Sequence, residues 1–335
     1  MSCLHPTQAW QDMYTTSKSG GHPVIFSWNS IKDHFFPRPD GEGGYELHSD
    51  RYRPIEIPCG KCVLCRRARA EQIAIRAMFE MKGYDFLQDH AFVTLTVSDD
   101  RMHEVFPGSR LQHRPFQLFM KRLRKRGIDV RYLMCGEYGE RTHRPHYHCI
   151  LFGWFPSDSY FDDLGCYHGS RLLEEVWPYG HVTVERVNAN RVFYVAGYTL
   201  KAGSDDECWR PYVRWSRRPG LGSKYIDEYA WNVLVKKDVE WYHHNKLDSW
   251  YYRTFIGRKE VRFSSRYLDD RLRLQDSEKF DTIKAARLSR VQLELEKLSS
   301  SPELAALAVR SLMNKAKSLD YQLARKSREL SDLCA

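Results

Sequence analysis

The sequence predicts an α+β fold: a central antiparallel β-sheet with flanking helices, followed by a helical C-terminal extension. Three observations point there. Four short apolar or β-branched runs recur between residues 91 and 187, joined by brief connections. Segments with apolar residues at helical spacing interrupt them. From about residue 269 the composition is helical, broken once at Ser299-Ser-Ser-Pro302.

Taken in order, residues 1–65 are rich in Pro, Gly and aromatics with little periodicity, so they read as loops and short strands. They end in Cys59-x-x-Cys62-x-x-Cys65. Residues 66–205 form the core. A helix opens it over about 66–82, with Ile73, Ala77 and Met81 on one face. Ala91–Val97 reads as a buried strand, about 115–126 as a basic helix, and Val130–Cys135 as a second strand. Arg144–Phe152 is the third strand and Val182–Val187 the fourth; a helix over about 190–202 closes the unit. Residues 206–268 mix aromatic with basic side chains. Residues 269–335 read as a helical hairpin, with Leu288, Val291, Leu295 and Leu298 in one stripe and Leu304, Leu307, Ala308 and Leu312 in the other. Those stripes are expected to pack on the core or on a second copy of the chain.

With 335 residues, 42% hydrophobic and 13% aromatic, the composition excludes a disordered chain. An odd count of nine cysteines argues against a secreted disulfide framework. No basic region followed by an apolar stretch opens the sequence, and no apolar run approaches the length of a membrane span. The expectation is a soluble cytosolic protein with no membrane partner. A net charge of +9 suggests a polyanionic partner. The bias is also local: between Glu104 and Asp129 there is no acidic residue, while Arg114, Lys121, Arg122, Arg124, Lys125 and Arg126 crowd the same window. Phe116, Phe119, Met120 and Leu123 supply a buried stripe, so these bases are expected on the outer side of a docked helix, within reach of phosphates.

The third strand carries the chemistry. Successive strand residues point to opposite faces, so His146 and His148 project together while Tyr147 and Cys149 turn away. A lone pair of strand histidines is more often satisfied by neighbours than by a metal. Glu137, nine residues earlier, follows a strand and precedes a turn, so the return strand can bring both imidazoles beside it. Glu140 and His143 rival it as the third ligand. Two imidazoles and a carboxylate leave coordination positions open for water or substrate. On the closing helix Tyr194, Tyr198 and Lys201 fall at i, i+4 and i+7 along one face. Phe193, Ala196, Gly197 and Leu200 form a separate stripe expected to be the core face, which frees the tyrosines from packing. A phenol is a weak nucleophile at neutral pH; a metal withdrawing charge from a phosphodiester and an adjacent ammonium make its attack feasible.

This ordered set resembles the HUH endonucleases, and in particular the rolling-circle replication initiators of the Microviridae, gokushovirus branch. Phe92-Val-Thr-Leu-Thr96 looks like their first motif, Arg144-Pro-His-Tyr-His148 the second, and Tyr194-Val-Ala-Gly-Tyr-Thr-Leu-Lys201 the third, in its two-tyrosine form. Cys3-Leu-His-Pro6, Pro58–Arg66 and Cys135-Gly-Glu-Tyr-Gly139 look like the branch, as does the Pro219-Gly-Leu-Gly222 turn. The resemblance implies an HUH palm that nicks single-stranded origin DNA site-specifically and transfers strands through a 5′-phosphotyrosine, in the cytoplasm of a host bacterium. It implies Glu137, His146 and His148 as ligands of Mg²⁺ or Mn²⁺, Tyr198 and Tyr194 as nucleophiles with Tyr198 the safer choice, and Lys201 orienting the phosphate. The donor set alone does not choose between Zn²⁺ and Mg²⁺.

Cys59, Cys62 and Cys65, with Cys3 as a fourth ligand, are a second candidate metal site, for structural zinc. No Gly-x-x-x-x-Gly-Lys-Ser/Thr loop appears, so unwinding and synthesis are expected from a host helicase and polymerase. Oligomerisation stays open. Two other readings also stay open: a zinc-dependent hydrolase in which metal-bound hydroxide attacks, and a zinc-stabilised nucleic-acid-binding protein without catalysis.

Overall fold

The computed structural model describes residues 3–16, 22–27, 30–32, 35–37, 45–47, 50–84, 89–139, 143–161, 168–201, 210–229, 249–254, 257–262 and 266–331. It divides into two compact units, Met1–Arg66 and Arg67–Ala335.

The first unit is built on strands β1 (Thr7–Asp12), β2 (Val24–Ile25), β3 (Phe35–Pro37), β4 (Tyr45–Leu47) and β5 (Tyr52–Ile57). β1 lies between β2 and β5, both antiparallel to it, while β3 and β4 pair separately. Asp12 ends β1 buried, with Arg51 on its carboxylate at 2.9 and 3.2 Å and the Tyr14 N–H at 3.0 Å. The Arg51 hydrogen bonds outweigh the cost of burial and hold that carboxyl well below the usual range.

The division between units falls in the first turn of helix α1 (Val63–Lys82), which lacks β-branched runs and turns its small and apolar side chains onto one side. There follow β6 (Ala91–Thr96), α2 (Met102–Val105), α3 (Arg114–Lys125), β7 (Arg131–Tyr138), β8 (Pro145–Phe152), β9 (Ser159–Phe161), β10 (His168–Ser170), α4 (Arg171–Val176), β11 (Val182–Arg186), α5 (Ala189–Lys201) and β12 (Tyr212–Trp215). β11, β6, β8, β7 and β12 form one antiparallel sheet in that order. Edge strand β12 comes from the mixed aromatic and basic segment, in which the sequence shows no strand period.

Strand alternation sorts the core into two clusters, one per face of the sheet. Val93, Leu95, Tyr147, Cys149 and Leu151 meet Phe116, Phe119, Met120 and Leu123 of α3 on the first face. Phe92, Leu133, Cys135 and Ile150 meet α1 and the Val192, Val195 and Ala196 side of α5 on the second. His146 and His148 share the parity of Ile150, so they belong to the face that α5 covers.

The chain continues through α6 (Ser223–Tyr229), the hairpin β13 (Ser249–Thr254) and β14 (Gly257–Arg262), then α7 (Arg266–Gln275), α8 (Ser277–Ser299) and α9 (Pro302–Ser331). Three C-terminal helices replace the two expected. The extra break is Asp276, whose carboxylate caps α8 by accepting from the Lys279 N–H at 2.9 Å. Leu272, Phe280 and Ile283 are buried in the second-face cluster, but Leu288, Leu304 and Leu307 are exposed. Val291, Leu295 and Leu298 of the expected stripe lie outside the residues whose side chains are described.

One buried carboxylate binds three elements of the second unit together. Glu80 of α1 accepts from Arg131 of β7 at 2.5 Å and from the Gly222 N–H at 2.6 Å, while Arg131 also donates to the Pro219 carbonyl at 2.9 Å. Gly222 is needed there: its φ is +78°, and a Cβ would lie 2.7 Å from the Arg76 carbonyl.

Candidate metal centre and paired tyrosines

β7 runs through Tyr138, three residues past the expected Cys135, so Glu137 belongs to the strand itself. The register sets Glu137 directly opposite His146 and Cys135 opposite His148. Paired residues share a face, which brings the carboxylate between two imidazoles. Its Oε1 lies 2.8 Å from His146 Nε2 and 2.7 Å from His148 Nε2.

Each ring is held by its other nitrogen. His146 Nδ1 is 3.0 Å from the Arg144 carbonyl, which only accepts, so Nδ1 donates there; a bound ion would take the place of the Nε2 contact with Glu137. His148 Nδ1 is 2.9 Å from the Thr94 hydroxyl, a strand partner on β6, and the ring stacks on Phe92 at 5.5 Å. Arg144 in turn anchors the start of β8 through Asp99 at 2.6 Å and the Val97 carbonyl. Thr94 and Phe92 fall within the first motif of the resemblance, but only the register shows that they support His148.

Glu137 is 3% exposed. Burial raises its pKa, yet the hydrogen bonds from His146 and His148 outweigh it and bring the carboxyl down to about 2. Burial pushes His148 the other way, below the usual histidine value and toward the neutral form. An ionised carboxylate beside a neutral imidazole is the state in which these groups ligate a metal. The three ligand atoms lie within 4.8 Å of one another, and their facing lone pairs suit a divalent cation.

α5 delivers the phenols. The Tyr194 hydroxyl donates to Glu137 Oε1 at 2.9 Å and lies 3.5 Å from His148 Nε2. The Tyr198 hydroxyl donates to that of Tyr194 at 2.8 Å. The expected core face of this helix needs correcting. Val192, Val195, Ala196 and Tyr198 are buried, whereas Phe193, Gly197 and Leu200 are half-buried and Tyr194 is 46% exposed. The β-branched valines fill the sheet surface better than the stripe of mixed sizes, and that rotation draws Tyr198 into the core. Lys201 closes the helix; its side chain lies outside the described residues, as does Glu140. His143 sits in the turn between β7 and β8 at a φ of +49°.

A family model described as replication-associated protein ORF2 matches residues 90–203, the span from β6 through α5 that contains this whole cluster. The replication-associated protein VP4 of Bdellovibrio phage phiMH2K is 30% identical over 226 residues, which cover 58% of this chain and 70% of that protein. The chain belongs to the replication-associated proteins of the Microviridae. Among other members, replication-associated protein ORF2 of Spiroplasma virus 4 is 31% identical over 259 residues, 71% of this chain and 74% of that protein. Replication-associated protein ORF4 of Chlamydia phage 1 is 30% identical over 213 residues, 57% of this chain and 51% of that protein. No solved structure matches the chain.

In this microvirus replication-associated protein the bases of α3 face away from the cluster, because α3 covers the first face of the sheet and α5 the second. Arg114, Lys121, Arg124, Lys125 and Arg126 are exposed. Arg122 reaches the Tyr179 hydroxyl at 3.0 Å, Arg124 pairs with Asp129 at 3.3 Å, and Arg126 with Glu175 at 2.7 Å. No helix among the described residues is long and apolar enough to cross a membrane.

Proposed function

We propose that the protein initiates rolling-circle replication as a metal-dependent endonuclease that nicks single-stranded origin DNA and transfers strands through a 5′-phosphotyrosine. The observation that carries the reading is the Tyr194 hydroxyl, 2.9 Å from Glu137 and 3.5 Å from His148. A nucleophile and a metal-ligating set meet where a phosphodiester could bridge them. Glu137, His146 and His148 would hold Mg²⁺ or Mn²⁺, an identity that rests on the family. The ion would act as a Lewis acid on the phosphodiester.

The remaining chemistry belongs to the chain. The attacking tyrosine forms an O–P bond as the P–O3′ bond breaks; the phenolic proton departs and the released 3′ oxygen takes one up, leaving a free 3′-hydroxyl. The reverse attack by a 3′-hydroxyl rejoins a strand without another energy source. The phenol-to-phenol hydrogen bond supports a second transfer on the neighbouring tyrosine while the first strand is still attached. Lys201, three residues past Tyr198, would neutralise phosphate charge, and the bases of α3 would hold DNA on the far face of the sheet. A host helicase and polymerase would supply unwinding and synthesis in the bacterial cytoplasm.

The experiment is to mix the full-length protein with end-labelled single-stranded DNA from its own replicon and Mn²⁺, and to resolve the products on a denaturing gel. A labelled protein–DNA adduct, absent from the Tyr194→Phe/Tyr198→Phe variant, is expected. Cleavage that persists in that variant without an adduct would establish a hydrolase instead. Binding with no cleavage under any divalent ion would leave only a nucleic-acid-binding protein.

A further inference from the structure

The proposed activity makes no use of the cysteines of the N-terminal unit. Cys59 and Cys62 flank a tight turn after β5, Cys65 lies in the first turn of α1, and Cys3 comes to them from the far end of the unit. Cys3 Sγ is 3.9 Å from Cys62 Sγ, and all four sulfurs lie within 4.8 Å of one another. A tetrahedral zinc with thiolates at about 2.3 Å sets its sulfurs about 3.8 Å apart. A disulfide needs sulfurs at about 2 Å and joins them in pairs. An iron–sulfur cubane spreads its cysteine sulfurs wider. The spacing suits a single ion.

The backbone is arranged around the same sulfurs. The Cys59 N–H donates to Cys3 Sγ and the Cys62 N–H to Cys59 Sγ, both at 3.3 Å. Gly60, at a φ of +73°, makes the left-handed step between two of the thiols. The backbone of Cys65 hydrogen-bonds the Cys62 sulfur, and that of Gly60 the Cys65 sulfur.

Among the described residues of the unit the buried apolar side chains are Cys3, Ala9, Ile31, Tyr52, Val63 and Leu64, a small set that a shared ion would reinforce. An ion shared by Cys3 and Cys59 would close most of the unit's length into one loop. We propose that Cys3, Cys59, Cys62 and Cys65 bind one structural zinc ion that holds the N-terminal unit together, a second metal site independent of the Glu137 centre.

The test uses the full-length protein and does not depend on nicking. After loosely bound metal is removed, elemental analysis is expected to find one zinc per chain in the His146→Ala/His148→Ala variant and none in that variant with Cys59→Ser/Cys62→Ser added. Co²⁺ substituted into the His146→Ala/His148→Ala variant should show the visible bands of tetrahedral thiolate coordination. Cys65→His should keep the zinc, since three thiolates and an imidazole also suit it. Should the serine variant fail to fold, alkylation of the parent protein decides. Cys3, Cys59, Cys62 and Cys65 should be protected together and become reactive together when a strong chelator is added. Four freely alkylated thiols in zinc-replete protein, stoichiometric iron in place of zinc, or zinc lost from the His146→Ala/His148→Ala variant would each overturn the assignment.

Discussion

The Tyr198 hydroxyl reaches Glu137 through Tyr194: it donates to the Tyr194 hydroxyl at 2.8 Å, which donates to the carboxylate at 2.9 Å. Tyr194 is exposed and Tyr198 is 4% exposed, so the two phenols are not interchangeable. The resemblance points to Tyr198 as nucleophile; from the hydrogen bond of Tyr194 to Glu137 we propose Tyr194 for the first cut. Tyr194→Phe is expected to reduce first-strand adduct formation by roughly a thousandfold or more. Tyr198→Phe should keep the first adduct and lose the second transfer. Single-turnover gels with two labelled strands check both, and the opposite result would reverse the order.

Thr94 holds the far nitrogen of His148 at 2.9 Å. Loss of such a support weakens metal binding on the order of 10- to 100-fold without removing a ligand. Thr94→Val should therefore raise the Mn²⁺ concentration needed for half-maximal nicking by that factor, with near-parental rates at saturating metal. A Mn²⁺ titration of adduct yield decides it, and an unchanged midpoint would remove Thr94 from the site.

The Glu137 carboxyl sits at about 2 against an ordinary 4.5. A depressed acid stabilises the fold above its unfolded value and loses that contribution as pH falls through its folded one. The stabilisation should be complete above about pH 4.5 and vanish toward pH 2, on the order of 3 kcal/mol in all. Thermal melts in chelator should show Glu137→Gln less stable than the parent at neutral pH, with the two converging in acid. Parallel curves across that window would contradict the ionised, histidine-bound carboxylate.

Glu80 is buried beneath Arg131 and the Gly222 N–H. Removing one partner of a buried pair strands the other, at a cost of about 3–5 kcal/mol. Glu80→Ala should lower the melting temperature by several degrees, and Arg131→Met should add little to it. Additive losses in that double-mutant cycle would show that the pair is not coupled.

Lys121 and Lys125 lie on the far side of the sheet from the tyrosines. If DNA wraps that far, Lys121→Glu/Lys125→Glu should weaken binding and lower the salt slope by about one for each phosphate no longer neutralised. The adduct yield at saturating DNA should hold. An unchanged slope would confine the DNA to the α5 face.

Much of this was legible in one dimension because it depends on period alone. Alternation makes His146 and His148 share a face whatever lies beside them, and the Phe116, Phe119, Met120 and Leu123 stripe docks α3 in any similar environment. The tyrosine spacing likewise puts two phenols one turn apart. Reach along the chain was legible too: nine residues suffice to turn Glu137 back toward His146.

Tertiary structure decided whatever depends on partners distant in sequence. Register set Glu137 opposite His146 and Thr94 opposite His148, and no local window encodes register. The rotation of α5 followed the sheet surface it covers, which buried Tyr198 where period alone predicted a free phenol. β12 joined the sheet because β7 offered an open edge, though its own segment carries little strand signal. Cys3 reaches Cys62 across 59 residues only because the first unit folds back on itself. Composition and spacing named the chemical groups; the free energy of burying surface against distant neighbours chose which of them meet.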